Sequence, residues 1–185
     1  MLSGWFRYVL EPLQVANASQ RGAHQAICYF MIELDRICID EATAADMPFI
    51  EACIQRFRLD DEHLEARQFL VLRAGEQIVA FGRIKPYREV QELGCIGVIE
   101  ELRGLGLGLK IIVEIIRRFP SQDVYITTDL TEYFERLGFR RVDTPPSELR
   151  EKMVRVEGRL RAGIVCMVLN RDDFLRAKTD KVSAS

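Results

Sequence analysis

Arg103, Gly104, Gly106 and Gly108 alternate with Leu105, Leu107 and Leu109, just after the strand-like run Gly97 to Ile99 and just before a helical pattern. Without Cβ atoms, alternate glycines let the backbone turn tightly and expose its N–H groups, and a helix starting behind them adds partial positive charge. Such a loop suits an anion, above all a pyrophosphate, and Arg103 supplies a cation beside it. A plain structural turn is the alternative. Glycine costs about 1 kcal/mol wherever it lies in regular structure, which argues against three in alternation for that role alone. The side chains of Leu105, Leu107 and Leu109 read as core or rim residues.

Spacing separates the phosphate loops that could be meant. A Walker loop ends in Gly-Lys-Ser/Thr, but Leu109 stands between Gly108 and Lys110, and Ile111 takes the place of the hydroxyl. A dinucleotide fingerprint is G-x-G-x-x-G straight after a strand, whereas this run is G-x-G-x-G behind the polar Glu100-Glu101-Leu102-Arg103, with too few strands around it for a doubly wound domain. There is no G-x-S-x-G elbow, and His24 and His63 are the only imidazoles for a triad. The five cysteines, Cys28, Cys38, Cys53, Cys95 and Cys166, are odd in number and form no C-x-x-C pair, so no disulfide framework or metal site is expected.

The remaining option is a coenzyme loop. R-G-x-G-x-G after a strand, with an aliphatic helix behind it, resembles motif A of the GCN5-related N-acetyltransferases (GNAT), and Tyr133 to Phe139 (YFERLGF) resembles the family's second signature, often written FYEKLGF. The likeness covers about residues 36 to 170. It implies an α/β fold with a mixed, mostly antiparallel central sheet flanked by helices on both faces, and acetyl-CoA as co-substrate, its pyrophosphate cradled by residues 103 to 109. It also implies that backbone groups of Ile96, Gly97 and Val98 pair with the pantetheine arm and polarise the thioester, where a backbone donor would stabilise the developing oxyanion.

Acetyl transfer to an amine needs a neutral nitrogen, and an amine near pH 7 is mostly protonated, so a base must take its proton. The family implies direct attack without a covalent enzyme intermediate. Glu92, at the start of the strand expected from Glu92 to Ile99, is the candidate base, since the N-acetylglutamate-synthase-like branch often carries an acidic residue there; a solvated strand-end carboxylate is the competing reading. The usual acid tyrosine is replaced by Phe134, and Tyr133 faces about 100° away on its helix, so it is no simple substitute. The run Ile126 to Phe139 (ITTDLTEYFERLGF) resembles that same branch, whose members acetylate the α-amine of an amino acid and also lack the acid tyrosine, although no amino-acid-kinase domain precedes it here.

If the acceptor carries a carboxylate, Arg83 and Lys85, on one strand face by period-two alternation, are the cations to meet it, with hydroxyls from Thr127 and Thr128. The alternative for both cations is a solvated strand charge. Residues 143 to 163 are long and charged enough for a loop or short helix over the acceptor site. A small-molecule amine, such as an amino acid, is thus the expected acceptor; a silent acyl-CoA-binding module and a protein or peptide N-acetyltransferase are the rival readings.

These residues need elements to hold them. Strands are expected at Arg36 to Ile39, Gln68 to Leu72, Ile78 to Ile84, Glu92 to Ile99, Val124 to Thr127, after Gly138, and at Ile164 to Leu169. Met47, Ile50, Ile54 and Phe57 predict a helix that starts near Asp46, because Pro48 would break one begun earlier. Leu109, Ile112, Val113 and Ile116 predict an amphipathic helix lying on the sheet. Asp129 and Glu132 suggest a capping box opening the next helix, which Gly138 closes. The expected division is an N-terminal extension (1–35), a catalytic domain (36–170) and a C-terminal tail (171–185).

With 185 residues, 48% apolar and 29% charged, the chain suits one globular domain. Its 26 Lys and Arg against 28 Asp and Glu give no basic excess, so no nucleic acid and no anionic membrane is called for. No run reaches the ~18 apolar residues of a membrane span, and Arg7, Glu11 and Pro12 spoil the opening as a signal peptide. A cytoplasmic protein is expected. Dimerisation is common in the resembled family, and the aromatic N-terminal segment is a candidate contact for a homodimer.

Overall fold

The structure is a computed structural model, and it describes residues 37–157 and 162–183. Seven strands form one sheet in the order β1-β2-β3-β4-β5-β7-β6: β1 Ile37–Glu41, β2 Phe69–Ala74, β3 Gln77–Pro86, β4 Gln91–Val98, β5 Asp123–Thr128, β6 Arg140–Arg141 and β7 Val165–Asn170. Every neighbouring pair is antiparallel except β4 and β5. The helices are α1 Met47–Phe57, α2 Leu107–Arg118, α3 Thr131–Arg136, α4 Ser147–Val156 and α5 Arg171–Ser183. The mixed, mostly antiparallel α/β sheet expected from the sequence is the fold observed.

Alternation along β2 shows how the sheet takes helices on both faces. Phe69 and Val71 join Ile50 and Ile54 of α1 in one core, while Leu70 and Leu72 join Ile111, Ile112, Ile115 and Ile116 of α2 in the other. Successive strand residues point to opposite faces, so α1 and α2 clamp the sheet from either side. Pro48 stands in the first turn of α1, where its missing N–H costs nothing, and a short 3-10 turn (Ala44–Asp46) leads in.

Pairing of β3 with β4 is irregular where it matters for function. Phe81 opposes Gly97 and Arg83 opposes Gly94, so a two-residue step on β3 is matched by a three-residue step on β4. The extra residue makes a bulge beside Cys95, which has φ of 48°. Bulges bend a strand and sharpen its twist. Beyond the bulge β4 parts from β5: the two strands pair only at Glu92 and Tyr125, leaving a wedge alongside Ile96 to Val98.

Gly97 lies under the Phe81 ring, and a Cβ built there would stand 2.3, 2.5 and 2.9 Å from three of its ring atoms. Phe81 is fully buried and has little room to retreat. Gly97→Ala should therefore destabilise the fold by about 1–3 kcal/mol, the usual cost of overpacking. Urea unfolding would show it as a lower midpoint with unchanged slope, and an unchanged midpoint would mean that the ring can move aside.

Two expectations are corrected. Asp129 and Glu132 form no capping box: Leu130 is the N-cap of α3 without a side-chain cap, and the Leu130 N–H instead donates to Thr128 Oγ1 at 2.9 Å. Residues 171–183 are not a plain tail, since they form α5, whose Phe174 is buried against the α2-side core. The expected N-terminal extension (1–35), with its suggested dimer contact, lies wholly outside the described residues.

Candidate active site

The glycine loop lies at the head of α2. Gly104 and Gly106 have φ of 83° and 80°, a conformation that favours glycine, and a Cβ at either would project into open space. Gly106 is the N-cap of α2 with no side-chain cap, so the first-turn N–H groups of Leu107, Gly108 and Leu109 face outward without an intrahelical partner. Leu107 is buried and anchors the helix start, while Leu105 is exposed. Arg103 is exposed, with its guanidinium 4.7 Å from the centroid of the Phe57 ring and its Nε donating to the Val98 carbonyl at 3.3 Å. That bond joins the loop to the end of β4, next to the wedge. A pyrophosphate fits this cradle: open backbone donors, the positive end of a helix dipole and a nearby cation.

At the other end of the wedge, where β4 and β5 meet, is a buried polar cluster. Glu92 is 1% exposed. Its Oε1 accepts from Thr127 Oγ1 at 2.5 Å and Thr127 N at 3.2 Å, its Oε2 from the Tyr87 hydroxyl at 3.0 Å, and both oxygens from Lys152 Nζ at 2.7 Å. Lys152 Nζ also lies 3.0 Å from Asp60, whose same oxygen is 2.8 Å from Lys85 Nζ. Glu148 at the start of α4 accepts from the backbone N–H groups of Arg88 and Glu89, clasping α4 to the β3–β4 turn. Residues 143 to 163, expected as a loop or short helix over the acceptor site, contain α4, which roofs this cluster.

The structure thus brings Glu92, Lys85 and Thr127 together, with Arg83 close by. The reading of Arg83 and Lys85 as solvated strand charges is excluded, for they are 0% and 4% exposed. Both are committed within the chain. Arg83 donates through Nε to Gln68 and through Nη2 to the carbonyls of Glu62 and His63, so it secures the loop after α1. Its buried Nη1 has no hydrogen-bond partner. Glu92 is likewise no solvated strand-end carboxylate. Thr128 stands apart, its hydroxyl turned to the α3 entry. Phe134 is buried edge-to-face between Tyr133 and Phe139, so a side chain at this position packs in the core and offers no proton.

Burial of Asp60 pushes its pKa up, but Lys152 and Lys85 outweigh that and leave it well below the ordinary 3.8. A depressed folded-state pKa stabilises the fold above the unfolded value and ceases to do so as pH falls through the folded one. Asp60 therefore contributes fully above about pH 4 and loses its contribution progressively below. In acid titrations followed by circular dichroism, Asp60→Asn should flatten the fall in stability below that pH, and a parallel curve would show that Asp60 has no such coupling. The Lys152 ammonium is disfavoured by burial but more strongly favoured by Glu92 and Asp60, so its pKa is raised. Burial also raises the Tyr87 phenol, keeping it a donor to Glu92.

Lys152, Asp60 and Tyr87 were not anticipated from the sequence. Lys152 carried a signal: it lies between Leu149 and Val156 at helical spacing, on the buried stripe of α4, where a lysine must find a carboxylate. Asp60 and Tyr87, in irregular segments, carried none. Cys95 and Cys166 are buried and both thiols are pushed up to about 11, by burial above all, which leaves them protonated and poor nucleophiles. Among the described residues no group of His, Cys, Asp and Glu could hold a metal, and no helix is long and apolar enough to cross a membrane.

Comparison with known proteins places this architecture. Solved structures that it resembles include N-acetylglutamate synthase from Neisseria gonorrhoeae in complex with coenzyme A and L-arginine, at 20% identity and a TM-score of 0.60 over 72% of this chain and 33% of that one. The chain thus spans about a third of that enzyme's length. A Mycobacterium tuberculosis protein in complex with CoA and NLQ matches at 20% identity and a TM-score of 0.57, over 72% of this chain and 98% of that one. The Escherichia coli ribosomal-protein-S18-alanine N-acetyltransferase matches at 15% identity and a TM-score of 0.50, over 72% of this chain and 93% of that one. At these identities the likeness is one of fold. No curated protein matches in sequence. A sequence profile matches residues 31–139, more than half of the chain and the segment that carries both the glycine cradle and the wedge: the protein belongs to the acetyltransferase (GNAT) family, whose co-substrate is acetyl-CoA.

Proposed function

We propose that this chain transfers the acetyl group of acetyl-CoA to the primary amine of a small molecule, an amino acid being the acceptor its site suits best. The observation that carries this reading is the wedge between β4 and β5, open beside Ile96 to Val98 with the glycine cradle at one end and a buried carboxylate at the other. In this reading Arg103, the backbone of residues 104–109 and the α2 N-terminus hold the pyrophosphate, and the β4 backbone orients the thioester. Glu92 receives the amine proton, directly or through water, while Tyr87 and Thr127 fix its orientation.

The charges around Glu92 support a zwitterionic acceptor. Asp60 and Glu92 suit an ammonium, as their pairing with Lys152 illustrates, and the half-exposed Arg155 beside Glu62 suits a carboxylate, whereas Arg83 and Lys85 are spent on partners within the chain. Because α4 roofs the cluster and is clasped at Glu148, a small molecule fits better than an extended peptide.

The test is a melting experiment with acetyl-CoA, using NADH and ATP as controls, since a ligand of the native state raises Tm. Gly106→Val is the comparison: valine at φ near 80° is strained and its side chain enters the cradle. The parent should respond to acetyl-CoA alone and the variant should lose most of that shift. An equal response from both would remove the loop from the coenzyme site. Thiol release with a panel of amino acids and with peptide N-termini then separates the small-molecule reading from protein acylation.

A further inference from the structure

Glu92 has no lone pair to spare. Five hydrogen bonds converge on its two oxygens, two of them from the ammonium of Lys152. An incoming amine cannot reach the carboxylate while that ammonium stays, so the amine already seated beside Glu92, where β4 and β5 meet, is the chain's own. Lys85, the other buried lysine of the cluster, is held by Asp60 and Glu62 and is not bonded to Glu92.

We propose that Lys152 is an internal acetyl acceptor, so that the enzyme modifies its own α4 before it serves a free amine. This rests on the acetyl-CoA reading above. The bond that forms joins Lys152 Nζ to the acetyl carbonyl carbon, and the bond that breaks is the carbonyl–sulfur bond of the thioester. Of the two protons that the ammonium loses, one passes by way of Glu92 to the leaving sulfur and the other to water. The product is a neutral amide and free coenzyme A. An amide cannot form the ion pairs to Glu92 and Asp60, so acetylation returns acceptor sites on Glu92 to the wedge and leaves α4 held by Glu148, Leu149 and Val156.

Burial makes this claim testable on the parent protein. Lys152 is 4% exposed, whereas Lys110 on the outer face of α2 is exposed. Acetyl-CoA reacting chemically attacks exposed lysines first, so selective labelling of Lys152 requires the site. The full chain is incubated with isotopically labelled acetyl-CoA at several protein concentrations, and intact mass and peptide mapping are followed alongside Tm. The expected result is one acetyl group per chain on Lys152, at a rate per molecule independent of protein concentration, with Lys152→Arg taking none at that segment while keeping its coenzyme shift. Label on Lys110 with Lys152 bare, or no label at all, overturns the proposal. If acetyl-CoA still raises Tm in that case, the acetyltransferase reading stands without it. If Tm does not rise either, both fall together.

Discussion

Glu92→Gln lowers turnover by about 10²–10⁴-fold, the range lost with a general base, while acetyl-CoA still raises Tm as it does in the parent. Glutamine keeps the length and planarity of the side chain and can still accept from Thr127, but its amide cannot take an amine proton. The glycine cradle lies at the far end of the wedge and is untouched by the change. Thiol release against the best acceptor from an amino-acid screen measures the loss, and the melting shift reports the coenzyme separately. A variant with full turnover would reduce Glu92 to the anchor of Lys152, and some other group would have to take the proton.

Lys152→Met has its large effect on stability. Removing the ammonium leaves Glu92, 1% exposed, and Asp60, whose side chain is 10% exposed, without the cation that lies between them. Breaking one side of a buried ion pair costs about 3–5 kcal/mol, because the remaining charge keeps its desolvation penalty. Lys85 continues to serve Asp60 but does not reach Glu92, so the greater part of the loss belongs to Glu92. Urea unfolding at neutral pH should show the full loss. Adding Glu92→Gln to Lys152→Met should restore part of it, since the uncompensated charge is then gone, and the double-mutant cycle gives the coupling directly. A loss under about 1 kcal/mol, with no recovery in the double variant, would mean that water reaches the cluster and screens it.

Local pattern told most about elements that depend on local pattern. The glycine run, the aliphatic stripe of α2 and the alternation of β2 each lie within a dozen residues, and each led to the observed element. The wedge was not expected from the sequence, where the family resemblance implied only that the backbone of Ile96 to Val98 meets the pantetheine arm, because the bulge at Cys95 is announced by no periodicity. The acceptor end was least legible. Glu92 and Lys152 are 60 residues apart and Lys85 and Asp60 are 25 apart, so their pairing is decided by topology. Arg83 and Lys85 were correctly placed on one strand face, yet their burial depended on the loop after α1 and on α4 folding over them. Thr128 was drawn into the helix entry that Asp129 had been expected to provide, because a threonine hydroxyl two residues ahead reaches the Leu130 N–H just as well.

The parting of β4 from β5 also bears on how the sheet behaves as a whole. With one residue pair joining them, β1 to β4 form one hydrogen-bonded ribbon and β5, β7 and β6 another, each free to open its own ladder. Deuterium should accordingly enter the amide of Val98, which faces the wedge, much sooner than that of Gly97, which is turned to Phe81 of β3 as Ile99 is to Val79, and the two ribbons should lose protection in separate steps. An arm of coenzyme lying in the wedge and bonded to the β4 backbone would act as the absent rung. Its arrival should merge the two ribbons into one cooperative unit, so that the substrate completes the sheet of the enzyme that consumes it.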